Sequence, residues 1–499
     1  MKINLKATDP ALVKTPALIV FLGTADPADL AGRPELDGLK DIIGPRIEGG
    51  DFTPDHLNTL TLFPGLSDGP ERIVLVGLGE DKDLTPGRVR AAAAQAMRVV
   101  SDLKRKSAAL ALFPARGCFT RQADAAEALA LGALLGTYNY AELKTKDKDK
   151  KIFPDALTLV FPLDKKNQAA VKTALDQARI TAKAVFKARD LGNRPANLLH
   201  PEALAEEALK IAGEAGLQAK VLDMAAAEQR GLGAFLGVAK GSSRPGRIII
   251  LEYRGGAADQ KPIALVGKAV TFDSGGLSLK PADHMGAMKT DMAGGAAVLT
   301  VLAAAAEMKL KVNLVGVVPA AENMPDGGAY RPGDVLTSMS GQTIEVISTD
   351  AEGRLILADA LTLVQEDYQP AQIIDLATLT GACVVALGSS CAGLMGNDDD
   401  LAGKLEHASR VSDERIWRLP LFEDYFEGFK SESADFKNSG VREGGAINGG
   451  LFLKQFIKNT PWAHLDIAGP ARAEKGKPGT PAGATGFGIN LLLTYLRNL

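Results

Sequence analysis

The sequence predicts two α/β domains, a smaller N-terminal one and a larger C-terminal one with a helix-covered, mainly parallel sheet. The chain of 499 residues is too long for a single typical hydrophobic core and suggests two domains. Apolar runs of strand length alternate with helical patterns along most of the chain, which is typical of helices packed on a sheet. Charged residues also cluster in Gly-rich segments after such runs, where open α/β sheets bind ligands. We expect domains at 1–165 and 166–499.

The first domain is predicted from strands that alternate with amphipathic helices. The predicted strands are Ala17–Leu22, Thr59–Phe63, Ile73–Val76, Ala108–Phe113 and Leu157–Phe161, and the predicted helices are Gly87–Lys104 and Arg121–Gly136. A long Ala-rich pattern with few helix breakers then predicts a connecting helix at about 168–191.

The second domain repeats this alternation more regularly. Its predicted strands are Arg247–Tyr253, Ile263–Val270, Val312–Val318, Thr343–Ser348, Gln372–Leu376 and His464–Ile467. Its predicted helices are Pro201–Gly216, Gly294–Met308, Leu355–Glu366, Gly449–Lys458 and Ala484–Arg497. Strands separated by helices of this length favour a parallel sheet covered on its faces.

Composition restricts the function classes. The formal net charge is −3 and no Lys/Arg-rich block occurs, which argues against nucleic acid as the main partner. The cysteines Cys118, Cys383 and Cys391 show no CxxC spacing, so neither a disulfide framework nor a zinc knuckle is indicated. The first ten residues lack an apolar signal core, and no run approaches the roughly 20 apolar residues that span a bilayer. We expect a cytoplasmic protein.

Two local patterns in the first domain carry weak signals. The Gly-Leu-Gly sequence at Gly77 follows a strand, but the third glycine of a dinucleotide fingerprint does not follow in register. The run ELKTKDKDKK from Glu142 to Lys151 predicts a solvated surface loop, with a basic contact patch as the alternative.

An unusual concentration of charge lies in two Gly-rich segments, 266–299 and 348–355. They contain Lys268, Asp273, Lys280, Asp291, Asp350, Glu352 and Arg354. Four carboxylates in one apolar pocket would repel one another and take up protons unless cations lay among them. Two divalent metal ions would meet that need.

The spacing supports a metal site. If 347–350 ends a strand, Asp350 and Glu352 project to one side while Gly353 lets the backbone turn. Asp273 follows a buried apolar run and precedes two glycines, where a strand leaves its sheet. The oxygen donors favour Mn²⁺ or Mg²⁺ and permit Zn²⁺, and Lys268 could ligate only as the neutral amine.

These segments resemble the leucyl aminopeptidase (cytosol aminopeptidase) family of two-metal exopeptidases. The pattern is GK(x)4D, SxKP, KxDMxG and TDAEGRL. It continues through RDLGNRPANLLHP at Arg189, YRPGD at Tyr330, ATLTGAC at Ala377, NSGVREGGAINGGLFL at Asn438, TPWAHLDIAG at Thr460 and GATGFG at Gly483. The resemblance covers nearly the whole chain after Arg189, and before it rests mainly on ALLGTY near Leu134.

The resemblance implies a role for each charged residue. Asp273 and Glu352 would bridge two metal ions, Mn²⁺ or Zn²⁺, while Lys268 and Asp291 complete one site and Asp350 the other. Lys280 and Arg354 match the family's catalytic pair, in which the arginine holds a bicarbonate ion that acts as general base.

The resemblance also implies the substrate and the assembly. Met288, Thr378, Gly381 and Ala468 would line the pocket for the first side chain, and Leu379 would bind the substrate through its backbone. The activity would be removal of N-terminal residues from peptides, with leucine and other apolar residues preferred. The first domain would be macro-like with a role in assembly or regulation, and the chain would form a homohexamer of two stacked trimers.

Some features leave other functions open. The chain differs from many family members at three positions, with Ser348, Thr290 and Ala293 in place of Asn, Tyr and Cys. None of the three is a proposed metal ligand, so the differences bear on substrate preference. His284, between Lys280 and Asp291, is the chain's own candidate for a base. A two-metal phosphoesterase would use similar carboxylates, although usually with histidines. A DNA-binding regulator is the alternative from another class, because some bacterial members bind DNA.

Overall fold

The computed structural model describes residues 1–24, 33–113, 117–146, 152–161 and 165–499, and it divides into two compact units. The smaller unit is Met1–Lys183 with Lys475–Pro481, and the larger unit is Ala184–Glu474 with Ala482–Leu499. Both units combine sheets with helices, so the predicted α/β class is confirmed. The domain boundary at 165/166 stays a prediction.

The smaller unit is built on one sheet. Its described strands are β1 (Lys2–Lys6), β2 (Leu18–Gly23), β3 (Thr59–Leu62), β4 (Ile73–Gly79), β5 (Ser107–Ala111) and β6 (Ala156–Val160). Its described helices are α1 (Lys40–Glu48), α2 (Pro86–Asp102) and α3 (Gln122–Gly136), and α4 (Lys165–Asn193) runs on into the larger unit. The described strands follow the order β1-β6-β5-β2-β4-β3 and pair in parallel except for β3 with β4.

Strand β2 shows why this sheet reads as continuous apolar runs. Ile19 and Phe21 pack into a core that includes α2 and α3, whereas Leu18, Val20 and Leu22 pack into a second core. A strand buried on both faces needs apolar residues at every position. The Gly77 sequence lies inside β4, where a Cβ would lie 1.9 Å from the Asp55 carbonyl oxygen, so close packing explains the glycine. Part of the predicted charged loop, 147–151, lies outside the described residues.

The larger unit contains most of the elements. Its strands are β7 (Gln218–Leu222), β8 (Arg247–Arg254), β9 (Ile263–Gly267), β10 (Ala269–Asp273), β11 (Asn313–Asn323), β12 (Val335–Thr337), β13 (Thr343–Glu345), β14 (Gln372–Ala377), β15 (Cys391–Gly396), β16 (Arg415–Arg418), β17 (Phe436–Lys437), β18 (Trp462–Asp466), β19 (Arg472–Ala473) and β20 (Gly483–Ala484). Its helices are α5 (Pro201–Ala215), α6 (Met224–Gln229), α7 (Gly233–Ala239), α8 (Ala282–Met285), α9 (Ala293–Glu307), α10 (Glu352–Tyr368), α11 (Gly381–Leu387), α12 (Asp399–Ser412), α13 (Gly445–Lys454) and α14 (Ile489–Arg497).

The main sheet of the larger unit is parallel at its centre. Its strand order is β16-β15-β18-β14-β9-β11-β8-β7, with β10 paired to β11. Strands β18, β14, β9 and β11 run parallel, whereas β15 meets β18, and β8 meets β11 and β7, in antiparallel pairs. The parallel strands therefore bring their carboxyl ends to one edge, which is where ligands bind in such sheets.

The segment 347–350 is not the end of a strand, contrary to the sequence-based expectation. Strand β13 ends at Glu345, and side chains take the backbone hydrogen bonds that would continue it. The Asn438 side chain accepts from the Ile347 N–H at 2.8 Å and donates to the Ser348 carbonyl at 2.7 Å. Asp350 therefore lies in a turn, and Glu352 is the first residue of α10.

Three further local expectations were wrong. The predicted strand Ile263–Val270 is interrupted at Lys268 and resumes as β10. The apolar alternation before Lys280 and the proline after it, Pro281, predict a strand end at Lys280, but the residue lies in the loop that follows Gly275 and Gly276. Gly353 does not reverse the direction of the backbone. It is the second residue of α10, where a Cβ would be 2.6 Å from the Lys268 Nζ atom.

Helices that could cross a bilayer are absent from the described part of the chain, since none there is both long and apolar enough.

Candidate metal centre

The predicted ligands converge at the carboxyl edge of the main sheet. Asp273 ends β10 and lies opposite Asn323, the last residue of β11. Gly275 and Gly276 follow with φ angles of 87° and 65°, a left-handed conformation that glycine adopts without steric cost. The chain then turns back, and the Lys280 N–H donates to the Ser274 carbonyl at 2.9 Å. The sharp turn thus brings Lys280 close to Asp273.

Carboxylates and lysines alternate in this cluster. Oxygen atoms of Asp273, Asp350 and Glu352 lie within 4.8 Å of one another. The Lys268 Nζ atom lies 2.8 Å from Asp291 Oδ2 and 2.9 Å from Glu352 Oε1. The Lys280 Nζ atom lies 2.8 Å from Asp273 Oδ2 and also contacts Asp350 Oδ1. We call these six residues the candidate metal centre.

Negative charge exceeds positive charge in the candidate metal centre, because four acids face two lysines. Burial and the neighbouring Glu352 raise the pKa of Asp273 to about 6. Burial, opposed by Lys268, raises the pKa of Asp291 to about 8. Burial alone would lower the pKa of Lys268, but the surrounding acids raise it by a larger amount, so the pKa lies above its usual value. The same two effects raise the pKa of Lys280. The acids are held close together at a cost that additional positive charge would relieve.

The residues present fit divalent cations. Asp273 and Glu352 are almost fully buried, Asp350 is 38 % exposed, and their oxygens face a common space. Oxygen donors of this kind suit hard divalent ions. Glu352 also begins α10, where the helix dipole favours an anionic side chain.

Arg354 is the third residue of α10, two residues after Glu352. Its Nη1 atom donates to the Asn438 carbonyl at 2.9 Å, and its Cζ atom lies 5.7 Å from the centre of the Phe452 ring. Its buried Nε–H has no hydrogen-bond partner among the described residues. Burial lowers the pKa of Arg354 to about 10, so the guanidinium is still cationic at neutral pH. An unpaired buried donor of this kind fits a small oxyanion such as bicarbonate.

Three of the residues expected to bind substrate, Thr378, Leu379 and Ala468, lie on two loops that Asp466 connects. Asp466 Oδ1 accepts from the Leu379 N–H at 3.2 Å and the Ala468 N–H at 3.1 Å, while Oδ2 accepts from the Thr380 hydroxyl at 2.6 Å. Thr378 is tied to the candidate metal centre, since its hydroxyl donates to Asp291 at 2.6 Å and its carbonyl accepts from Lys268 at 2.9 Å.

The other two expected pocket residues are accessible. Gly381 begins α11 on the exposed surface, with nothing within 4 Å of where its Cβ would be, and Met288 is half-buried at the start of a short 3₁₀ helix. The side chain of His284 lies outside the described residues, so its role as a base stays a prediction.

Three residues of the site were not identified from the sequence. Asn323 donates into the candidate metal centre, and Tyr330 donates to the Thr349 carbonyl at 2.7 Å, next to Asp350. Asp466 connects the loops that contain Leu379 and Ala468. Asn323 and Asp466 each end a strand at the same sheet edge as Asp273, so the rule that selected Asp273 could have selected them as well.

Comparisons with known proteins agree over both units. The catalytic-domain model of the cytosol aminopeptidase family matches residues 186–493, and the N-terminal-domain model of that family matches residues 20–147. A probable cytosol aminopeptidase of Geobacter sp. (strain M21) is 46% identical over 501 residues, covering 100% of both chains.

Two solved structures are similar in fold and sequence. The bottromycin maturation enzyme BotP in complex with Mn has a TM-score of 0.84 at 35% identity, covering 97% of this chain and 99% of that one. A mutant of tomato leucine aminopeptidase has a TM-score of 0.88 at 34% identity, covering 100% of this chain and 97% of that one.

Proposed function

The chain belongs to the cytosol aminopeptidase family and is a metal-dependent aminopeptidase, and from this we propose a dinuclear enzyme that removes apolar N-terminal residues, leucine among them. The observation that carries the proposal is the convergence of Asp273, Asp350 and Glu352, with oxygens within 4.8 Å of one another at the carboxyl edge of the sheet. Ligand-binding sites of α/β sheets occupy this edge.

The proposed ligands are the acids and one lysine of the candidate metal centre. Asp273 and Glu352 would be shared by two ions, with Lys268 and Asp291 completing one site and Asp350 the other. The neighbouring structure with Mn supports manganese, and zinc is the alternative. When bound, two such ions make a water molecule more acidic and polarise a carbonyl group.

Lys280 and Arg354 would act on the substrate and the base. Opposing acids raise the pKa of Lys280, so its ammonium group stays charged and could stabilise an oxyanion. Arg354 would hold bicarbonate through its guanidinium, whose buried Nε–H has no hydrogen-bond partner among the described residues. The proposed base is then the bound anion, which removes the need for a histidine.

The proposed pocket for the first side chain is apolar and of medium size. Met288, Thr378, Gly381 and Ala468 would line it, and the Leu379 backbone would bind the substrate amide. The Leu379 N–H is already donated to Asp466, so its carbonyl is the group left for the substrate. We further propose that the enzyme is a cytoplasmic homohexamer, which light scattering at working concentration would test.

A free α-amine is the feature that separates an exopeptidase substrate from an internal peptide bond. The amine would be a nitrogen donor that positions the first carbonyl, whereas acetylation converts it into an amide without a basic lone pair. We expect an N-acetylated leucyl peptide to be cleaved at least about 10²-fold less efficiently than its free counterpart, a loss of roughly 3 kcal/mol.

The measurement is kcat/KM for the two peptides on the Mn²⁺-loaded enzyme. Comparable values would mean an endopeptidase or another hydrolase. A phosphate diester hydrolysed faster than either peptide would instead favour the phosphoesterase.

A further inference from the structure

Asn323 is an uncharged side chain buried inside the candidate metal centre. It is the last residue of β11, and its side chain is fully buried. Its carbonyl oxygen accepts from the Ser274 N–H at 3.0 Å and from the Ser274 hydroxyl at 2.7 Å. These bonds fix the backbone of Asn323 to the residue that follows Asp273.

The side-chain amide of Asn323 donates to three acceptors around the site. Its Nδ2 atom lies 2.9 Å from Asp273 Oδ1, 2.9 Å from the Thr349 carbonyl and 3.5 Å from Glu352 Oε2. Both carboxylates that would be shared by the two ions therefore lie within reach of one NH₂ group. The third acceptor is the carbonyl next to Asp350.

The orientation of this amide follows from its surroundings. Turned over, its oxygen would face two carboxylates and a carbonyl, all of which are acceptors. In the observed orientation Oδ1 has no hydrogen-bond partner among the described residues. It packs against Gly276, where a Cβ would lie 2.7 Å from it. The surroundings therefore favour the orientation in which the amide nitrogen faces the three acceptors.

A neutral donor suits this position for an electrostatic reason. Two carboxylates that face each other repel, and a hydrogen-bond donor between them reduces that repulsion. A lysine or arginine there would do so more strongly, but its charge would also repel a cation. An amide steadies the acids and adds no charge.

We propose that Asn323 is a positioning residue that holds Asp273, Glu352 and the Thr349 carbonyl in the arrangement that binds metal. This inference rests on the proposed function, because it takes Asp273 and Glu352 as ligands. Groups that hydrogen-bond to metal ligands commonly change metal affinity 10- to 100-fold when they are removed.

The test compares alanine variants at the two ends of one strand. Asn313 begins β11, is also buried, and donates only to backbone carbonyls, those of Ala257 and Gln260, far from the candidate metal centre in the strand. The Mn²⁺ dissociation constant of Asn323→Ala should rise at least about tenfold, whereas that of Asn313→Ala should match the wild type. At saturating Mn²⁺, Asn323→Ala should lower kcat and leave KM for a leucyl substrate unchanged.

Thermal unfolding in chelator separates positioning from loss of structure. Both alanine variants should unfold earlier than the wild type by similar amounts, since each loses buried hydrogen bonds. If Asn323→Ala does not fold, Asn323→Ser serves, because its hydroxyl is too short to make the same contacts. A Mn²⁺ dissociation constant within twofold of the wild type for the folded Asn323 variant would overturn the inference. Normal Mn²⁺ binding by Glu352→Gln would instead overturn the proposed function.

Discussion

Two groups of buried acids in the larger unit differ in what surrounds them. In the candidate metal centre, carboxylates face one another and share two lysines. Three other acids, Asp359, Asp375 and Asp466, are fully buried, yet each has both oxygens occupied by donors from the chain; we call them the braced acids. A buried acid alone does not indicate a ligand.

The braced acids connect segments that are distant in sequence. Asp359 accepts from the N–H groups of Phe235 and Met339 at 2.8 and 2.7 Å. Asp375 accepts from the Trp462 indole at 2.7 Å and lies 2.5 Å from His464 Nδ1. Both oxygens of each braced acid already have a hydrogen-bond donor, whereas oxygens of Asp273, Asp350 and Glu352 lie within 4.8 Å of one another.

The largest effect is expected from Glu352→Gln or Asp350→Asn. Each removes a charged ligand that neutral groups cannot replace, so metal content should fall and activity should drop more than about 10³-fold. The braced acid supplies the control, since Asp359→Asn should lose stability and keep its metal. Elemental analysis and kcat would show this. Full metal occupancy with normal turnover in Glu352→Gln would remove the basis of the contrast.

Lys280→Ala should leave metal content unchanged and lower kcat by about 10²–10³, as loss of an oxyanion stabiliser typically does. The physical reason is that Lys280 is not itself a proposed ligand. It keeps its charge and forms ion pairs with two of the proposed ligands, Asp273 and Asp350. Metal analysis beside steady-state kinetics provides the measurement. A collapse of metal content would make Lys280 a structural group.

Asp466→Ala should raise KM for a leucyl substrate about tenfold without loss of metal. The substitution frees the Leu379 and Ala468 N–H groups and so loosens both substrate loops; a tenfold change corresponds to about 1.4 kcal/mol. Asp359→Ala is the matched control, because it removes a braced acid away from the pocket and should leave KM unchanged. Equal KM values for Asp466→Ala and the wild type would contradict this role.

The smallest effect concerns pH and the buried pair of Asp375 and His464. Burial and the charge of Arg354 lower the pKa of His464. The charge and hydrogen bond of Asp375, together with the charge of Asp466, raise it by more, so the pKa of His464 lies above 6.5. The pair therefore stabilises the fold fully below pH 6.5, and this contribution is lost as pH rises through the raised pKa. We expect the free energy of unfolding to fall by at most about 1.4 kcal/mol per pH unit.

Denaturant unfolding from pH 6 to 9 would measure this dependence. His464→Gln should flatten it, because glutamine can donate to Asp375 without titrating. A wild-type curve parallel to that of the variant would show that the pair does not titrate in this range.

The sequence predicted elements better where one pattern dominates. Strand β4 and helix α3 were anticipated within a few residues, because continuous burial or helical spacing leaves little choice. Strand β1 was missed, since Lys2–Lys6 alternates polar with apolar residues over only five positions. Helix α10 begins at Glu352, three residues before its predicted start. The prediction was late because Gly353 is a poor helix former, and the glycine is there because Lys268 packs against it.

The site was predictable to the extent that it consists of charges in short segments. Asp273, followed by two glycines, could be singled out from local sequence alone. Asp375 and His464 could not, because they are brought together only by the register of β14 and β18. Asn323 carries no charge, and its meaning depends on which oxygens lie around its amide.

Gly353 has a consequence for anyone who would engineer this chain for heat resistance. Replacing a helical glycine with alanine is a standard stabilising change, worth up to about 1 kcal/mol in an exposed helix. At this position the added methyl group would lie 2.6 Å from the Lys268 Nζ atom and displace it from Asp291 and Glu352. A design method that scores helix propensity alone would therefore choose a substitution that we expect to disturb the candidate metal centre.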